Sequence, residues 1–291
     1  MLVAVPLAVY LLAQRPARRD VIVGAMVGVF ACALLALPAD PFGSLERAWA
    51  ALLAGALTVV MLRRPGGSFV PAALTALGLA AGAASLLVWA TPLSWGEVAW
   101  RVSRHFGYQT RLILGQMAAA ADAAGGGASP LIATLSRSVD AGIRLVSGVF
   151  PALLLLQSLA ALALGWTLYQ RLARTPLGAP VGRLRAFRFD DNLIWGVVLA
   201  LLALLVPRLA GVGLLGGNLA VFFGGLYTLR GFAVAAAMAA TAGIDGILAA
   251  VGATLVLVFL APVAATAALA LGLTDTWVDW RRRLERVAGP R

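Results

Sequence analysis

Long apolar runs, each closed by a short polar or arginine-bearing connection, set the rhythm of this chain until about position 273. A hydrocarbon core about 30 Å thick calls for about 20 apolar residues per helix. Runs approaching that length fall at 1–13, 21–37, 48–62, 69–90, 148–169, 193–209, 218–241 and 247–272. The pattern predicts an all-α, polytopic transmembrane bundle of about seven to eight spans. Arginines gather after every second run: Arg15, Arg18 and Arg19, then Arg63 and Arg64, then Arg171, Arg174, Arg183, Arg185 and Arg188 in the connection 170–192. The positive-inside rule places those connections in the cytoplasm. The pair Arg18-Arg19 ahead of Val21 is read as part of that pattern rather than as a twin-arginine export signal.

Residues 91–147 break the rhythm. Trp95, Val98, Val102, Phe106 and Ile113 recur near helical spacing, as do Ile132, Leu135, Val139, Ile143 and Val146, with Arg101, Arg104, Arg111, Arg137 and Arg144 dispersed among them. Two amphipathic helices are expected, separated by the breaker Gly125-Gly126-Gly127-Ala128-Ser129-Pro130. Counting crossings puts this insert outside the cytoplasm. The chain thus divides into N-terminal spans (1–90), an extracytoplasmic helical insert (91–147), C-terminal spans (148–273) and a basic cytoplasmic or interfacial tail (274–291). One inconsistency remains in the topology: eight crossings from an outside N-terminus leave the tail outside, whereas Arg281, Arg282, Arg283 and Arg286 argue for the inside. Pro207, Arg208, the stretch 211–217 and Arg230 make one of the last three spans suspect as broken or re-entrant.

Composition agrees with the pattern: 62% of residues are hydrophobic, 12% are charged, and mean hydropathy is +0.93. The net charge of +11 sits beside the apolar runs, where it orients spans, so a nucleic-acid partner is not indicated. Lysine is absent, which reflects base composition rather than chemistry. Cys32, the single cysteine, excludes an intrachain disulfide.

Candidate chemistry is sparse. Gly24 and Gly28, and Gly78 and Gly82, have the spacing at which helices pack closely. Arg230 stands within an apolar run, and Asn218, Tyr227 and Arg230 suggest a polar stripe facing the bundle. The competing reading has Arg230 snorkelling to an interface. Asp245, Asp275 and Asp279 are the acids close to it in sequence; Asp245 is about four helical turns along, too far for direct pairing on one helix, so a partner should come from another element or from water. His105 reads as a surface residue and Asp190-Asp191 as a cap for the helix that follows. No metal-ligand spacing, phosphate loop or nucleophile elbow occurs, so neither a cofactor nor an enzymatic activity is expected.

The end of the chain adds a family signal. Leu271-Gly272-Leu273-Thr274-Asp275 followed by Trp280-Arg281 resembles the ending of the YybS-like family of bacterial membrane proteins, carried by Gly272, Asp275, Trp280 and Arg281. Asn218, Leu226-Tyr227 and Gly231-Phe232-Ala233-Val234 are similar to that family's penultimate helix, and residues 6–24 to its second span. Arg230 stands where the family usually has glutamine, and no counterpart of its first helix precedes Met1, which leaves an upstream start open. The resemblance implies a multi-pass inner-membrane protein, remotely similar to the S components of energy-coupling-factor transporters. Trp277, Trp280 and the tail arginines suit the headgroup level and anionic lipid, or else docking of a protein. Two functions follow: small-molecule binding or transport within the bundle, and a non-transporting scaffold that holds a membrane protein partner.

Overall fold

The computed structural model describes residues 2–13, 41–64, 67–91, 94–123, 130–173, 175–205, 212–244, 252, 254, 256 and 259–288. Among these the chain is helical, without strands. The helices are α1 (Ala4–Ala13), α2 (Pro41–Arg63), α3 (Phe69–Ala90), α4 (Trp95–Ala123), α5 (Pro130–Gly148), α6 (Phe150–Leu172), α7 (Ile194–Leu205), α8 (Val212–Thr241), α9 (Ala261–Val278) and α10 (Trp280–Ala288). They fall into two compact units, residues 1–65 with 73–177, and residues 66–72 with 178–291.

In the first unit α2 presents Ala50, Leu53, Ala54, Leu57 and Met61 as one buried stripe at three- and four-residue spacing. α1 packs on α2 and on α6. Tyr10 of α1 meets Trp166 edge-on at 5.2 Å and Tyr169 at 5.3 Å, and the α6 rings lie 4.9 Å apart. A buried indole tie joins α2 to α6, with Trp49 Nε1 donating to Ser158 Oγ at 2.8 Å. The insert is a pair of helices, as its pattern predicted. α4 and α5 pack together, and Val102 is fully buried. The Gly125–Ser129 part of the expected breaker lies outside the described residues.

The second unit is built on α8, against which α7, α9 and α10 all pack. Glycines set the approach. A methyl at Gly231 would overlap the Ala268 carbonyl, and one at Gly272 would overlap that of Tyr227, so α8 and α9 cross backbone to backbone in antiparallel sense. Gly196 of α7 takes the ring of Phe223, and Gly216 of α8 sits 2.9 Å from Ala203 by the same measure. By contrast a methyl at Gly78 or Gly82 meets nothing within 4 Å, so that pair makes no helix contact among the described residues. The Gly24 and Gly28 pair lies outside them.

Five helical segments are long and apolar enough to cross a membrane: Gly43–Arg63, Phe69–Ala90, Phe150–Leu172, Gly213–Thr241 and Ala261–Val278. The expected count of seven to eight spans is therefore not reached among the described residues. The run 21–37 and the Pro207-Arg208 break lie outside them. α1 is described over ten residues and α7 over twelve, and each runs up to residues that lie outside the described ones. The last span also shifts, from the expected 247–272 to a helix that ends at Val278. Threonines explain much of that shift: Thr274 turns its hydroxyl back to the Ala270 carbonyl at 2.9 Å, so a polar residue continues the helix instead of ending it.

Candidate functional site

Every helix of the second unit except α7 contributes to one polar cluster, together with the segment that leads into α7. Arg230 belongs to α8 and is fully buried, as are Tyr227, one turn earlier on a neighbouring face, and Asp275 near the end of α9. The guanidinium is held from two sides. Its Nε donates to Asp275 Oδ2 at 2.9 Å, and its Nη1 donates to Asp191 Oδ1 at 2.6 Å. Phe189 closes a third side, its ring centroid 5.4 Å from the guanidinium carbon and 5.1 Å, edge-on, from the Tyr227 ring.

Asp275 is the hub. Besides Arg230 it accepts from the Trp280 backbone N–H at 3.1 Å and from Arg281 Nη2 at 3.4 Å. Three donors on one carboxylate replace the water it lost, which is the condition for keeping a charge buried. Around this centre Arg188 bridges Asp191 at 3.5 Å and Asp279 at 3.7 Å, and Arg282 reaches Asp279 at 3.0 Å. Asp279 itself stands in the left-handed region at φ 45°. This residue turns the chain sharply from α9 into α10 and so brings Trp280 and Arg281 back over Asp275. Burial pushes the Arg281 guanidinium below its usual pKa; Asp275 opposes that shift, and Arg230 adds to it.

Two buried polar atoms of this neighbourhood, Arg230 Nη2 and Arg281 Nε, make no hydrogen bond among the described residues, while the buried hydroxyls of Tyr227 and Thr276 face one another. The cluster is thus satisfied in charge and incompletely satisfied in hydrogen bonding.

The structure brings together Tyr227, Arg230, Gly272, Asp275, Trp280 and Arg281 of the residues singled out by sequence. Asn218 stands apart. It precedes Tyr227 by nine residues, half a turn off around the helix, and donates Nδ2 to Leu214 O of its own helix at 2.9 Å. The polar stripe therefore shortens to Tyr227 and Arg230. Arg230 does not snorkel: it is paired inside the unit by residues of other elements. Asp245 lies outside the described residues. The aspartate pair divides its labour, since Asp190 caps the turn Asp191–Leu193 through the Asn192 N–H at 2.9 Å while Asp191 faces Arg230. Asp191, Arg188 and Phe189 were missed as site residues, although an arginine inside an apolar run calls for carboxylates beside neighbouring runs, and Asp191 is one. His105 lies on α4, in the first unit.

A family model described as a predicted membrane protein, DUF2232, matches residues 1–276, and the chain belongs to that family. No curated protein and no solved structure matches it.

Proposed function

We propose that this integral membrane protein is a non-enzymatic, multi-pass inner-membrane scaffold whose C-terminal unit is fastened by the Arg230 cluster. The supporting observation is that the Arg230 guanidinium is fully buried with a carboxylate on each of two sides. A ligand-binding arginine keeps its charge available; this one is already paired, and removing either partner would strand a buried charge. The YybS-like resemblance supports the same reading. The four tail residues that carry it are the glycine of the helix crossing, the hub carboxylate and the two residues that bind that carboxylate. They act on the architecture of the unit.

A second reading, small-molecule binding or transport of the kind S components perform, rests on the unpaired buried Nη2 of Arg230 and Nε of Arg281, beside the hydroxyls of Tyr227 and Thr276, which could hydrogen-bond a small polar guest. A thermal-shift screen of the full chain in detergent, against small anions and hydrogen-bonding metabolites, separates the two. The scaffold reading expects no compound whose stabilisation of the protein is abolished by Arg230→Gln or Tyr227→Phe. A single compound that raises Tm in the parent and not in those variants overturns it in favour of the ligand site.

A further inference from the structure

The C-terminal helix α10 packs on α8 with one side and leaves a face of arginines on the other. Trp280, Arg281 and Leu284 are partly covered, and Arg281 is tied to Asp275 at 3.4 Å. Arg282, Arg283 and Arg286 are exposed and share a sector of about 100° on the opposite side of the helix. The apolar side of α10 is thus engaged within the unit, and what the helix offers outward is charge. Little on the protein compensates it. Arg282 reaches Asp279 at 3.0 Å yet stays 71% exposed, and Arg283 donates Nε to a neutral group, the Val278 carbonyl, at 3.2 Å. Arg286 meets no carboxylate among the described residues, and neither do the exposed Arg183 and Arg185. The Arg281 bond to the Arg185 carbonyl at 3.5 Å holds these last two beside the start of α10.

Position decides what meets that charge. The span-length helix α9 ends at Val278 and α10 starts at Trp280, so the first turn of α10 stands at a membrane boundary. The last turn of α9 carries Trp277, 71% exposed. It lies about 200° around the helix from Asp275, which faces α8, so its indole points out of the unit. An outward indole at the end of a span belongs at the headgroup level, and arginines just beyond it meet lipid phosphates. Anionic lipid is already present at that level, whereas an acidic protein would have to displace it. We propose that the outer face of α10 binds anionic phospholipid of the cytoplasmic leaflet, with Arg282, Arg283 and Arg286 on the phosphates and Trp277 among the headgroups. Because the apolar side of α10 is held by α8, the contact is electrostatic and does not insert the helix among the acyl chains, unlike an amphipathic helix lying in a bilayer. This surface is separate from the Arg230 cluster and does not depend on whether that cluster takes a ligand.

The test uses the full chain with Cys32→Ser and a fluorophore on Trp277→Cys, reconstituted in phosphatidylcholine vesicles. Trace phosphatidylglycerol or phosphatidylcholine carries a doxyl quencher near the headgroup end of its acyl chain. The expected result is stronger quenching by the labelled phosphatidylglycerol than by the labelled phosphatidylcholine at equal mole fraction. Arg283→Gln and Arg286→Gln should each lower that preference, by up to roughly fivefold, with the unfolding midpoint of Arg286→Gln unchanged. About 1 M salt, where the screening length is about 3 Å, should remove it. Equal quenching by the two lipids would leave the arginines in water and overturn the proposal. Quenching by neither would overturn it in favour of a protein partner or a second copy of the chain against Trp277. A preference kept in the double arginine variant would take the lipid contact away from α10. Loss of the preference on adding soluble oligoglutamate, at a concentration well below that of the lipid, would overturn it in favour of an acidic protein partner.

Discussion

At the scale of single residues, the cluster around Arg230 turns a liability into a constraint. An unpaired guanidinium inside an apolar helix is among the costliest groups a membrane protein can carry, and it is tolerated here because Asp275 and Asp191 meet it. The donors around each charge rank the consequences of removing it. Arg230→Leu leaves Asp275 with the Trp280 N–H and Arg281, and leaves Asp191, which is 42% exposed, free to rehydrate. Asp275→Leu withdraws the carboxylate from Arg230, Arg281 and the Trp280 N–H together. Both substitutions should destabilise, toward about 3–5 kcal/mol for a broken buried pair, with Asp275→Leu the worse. The double variant should cost clearly less than their sum, because no buried charge at that contact is then stranded. Equilibrium unfolding of the detergent-solubilised protein measures the cycle, and strictly additive costs would show that the contact carries no coupling. The requirement for a partner was legible in the sequence from Arg230 alone. Which acid meets it was not, because Asp191 and Asp275 are 39 and 45 residues away and reach it only through helix packing.

At the scale of elements, apolar periodicity told helix from insert, and glycine spacing did not tell which helices touch. Gly78 and Gly82 have the packing spacing and face open space, whereas Gly231 and Gly272, in different helices, form the tightest crossing of the second unit. A spacing rule sees one helix at a time; a crossing is made by two. The contrast is testable with one methyl group. Gly231→Ala and Gly272→Ala drive a Cβ into the backbone of the facing helix, for which rearrangement costs about 1–3 kcal/mol or more. Gly78→Ala and Gly82→Ala enter open space and should be neutral or slightly stabilising through helix propensity. Unfolding midpoints of the four variants decide it, and a loss at 78 or 82 matching that at 231 or 272 would place a helix contact where none is described. Element ends were the least legible feature. The tail was expected from Thr274, yet α9 continues to Val278 and the turn falls on Asp279. Polar residues near the end of a span were taken for its exit, and their side chains instead satisfy the helix and the cluster it ends in.

At the scale of the whole molecule, the cluster bears on the topology that the sequence left inconsistent. The arginine-rich connection 170–192 and the C-terminal tail meet at one site: Arg188 pairs with Asp279, and Arg281 Nη1 donates to the Arg185 carbonyl at 3.5 Å. Segments that share these contacts emerge on one side of the membrane, so an even number of crossings separates them. The three apolar runs counted between them are one too many. α7 is the candidate for removal, since Pro207 and Arg208 interrupt its apolar run. Two crossings, α8 and α9, then return the tail to the side of the connection, where its arginines belong by charge. The expected labelling follows from that reasoning. In a Cys32→Ser background, cysteines replacing Arg183 and Arg286 should react with an impermeant maleimide from the same face of oriented vesicles. A cysteine replacing Leu145, ahead of the span-length helix α6, should react from the other. Opposite labelling of 183 and 286 would mean that α7 crosses after all, and that the contacts tying the tail to the connection do not form in the membrane.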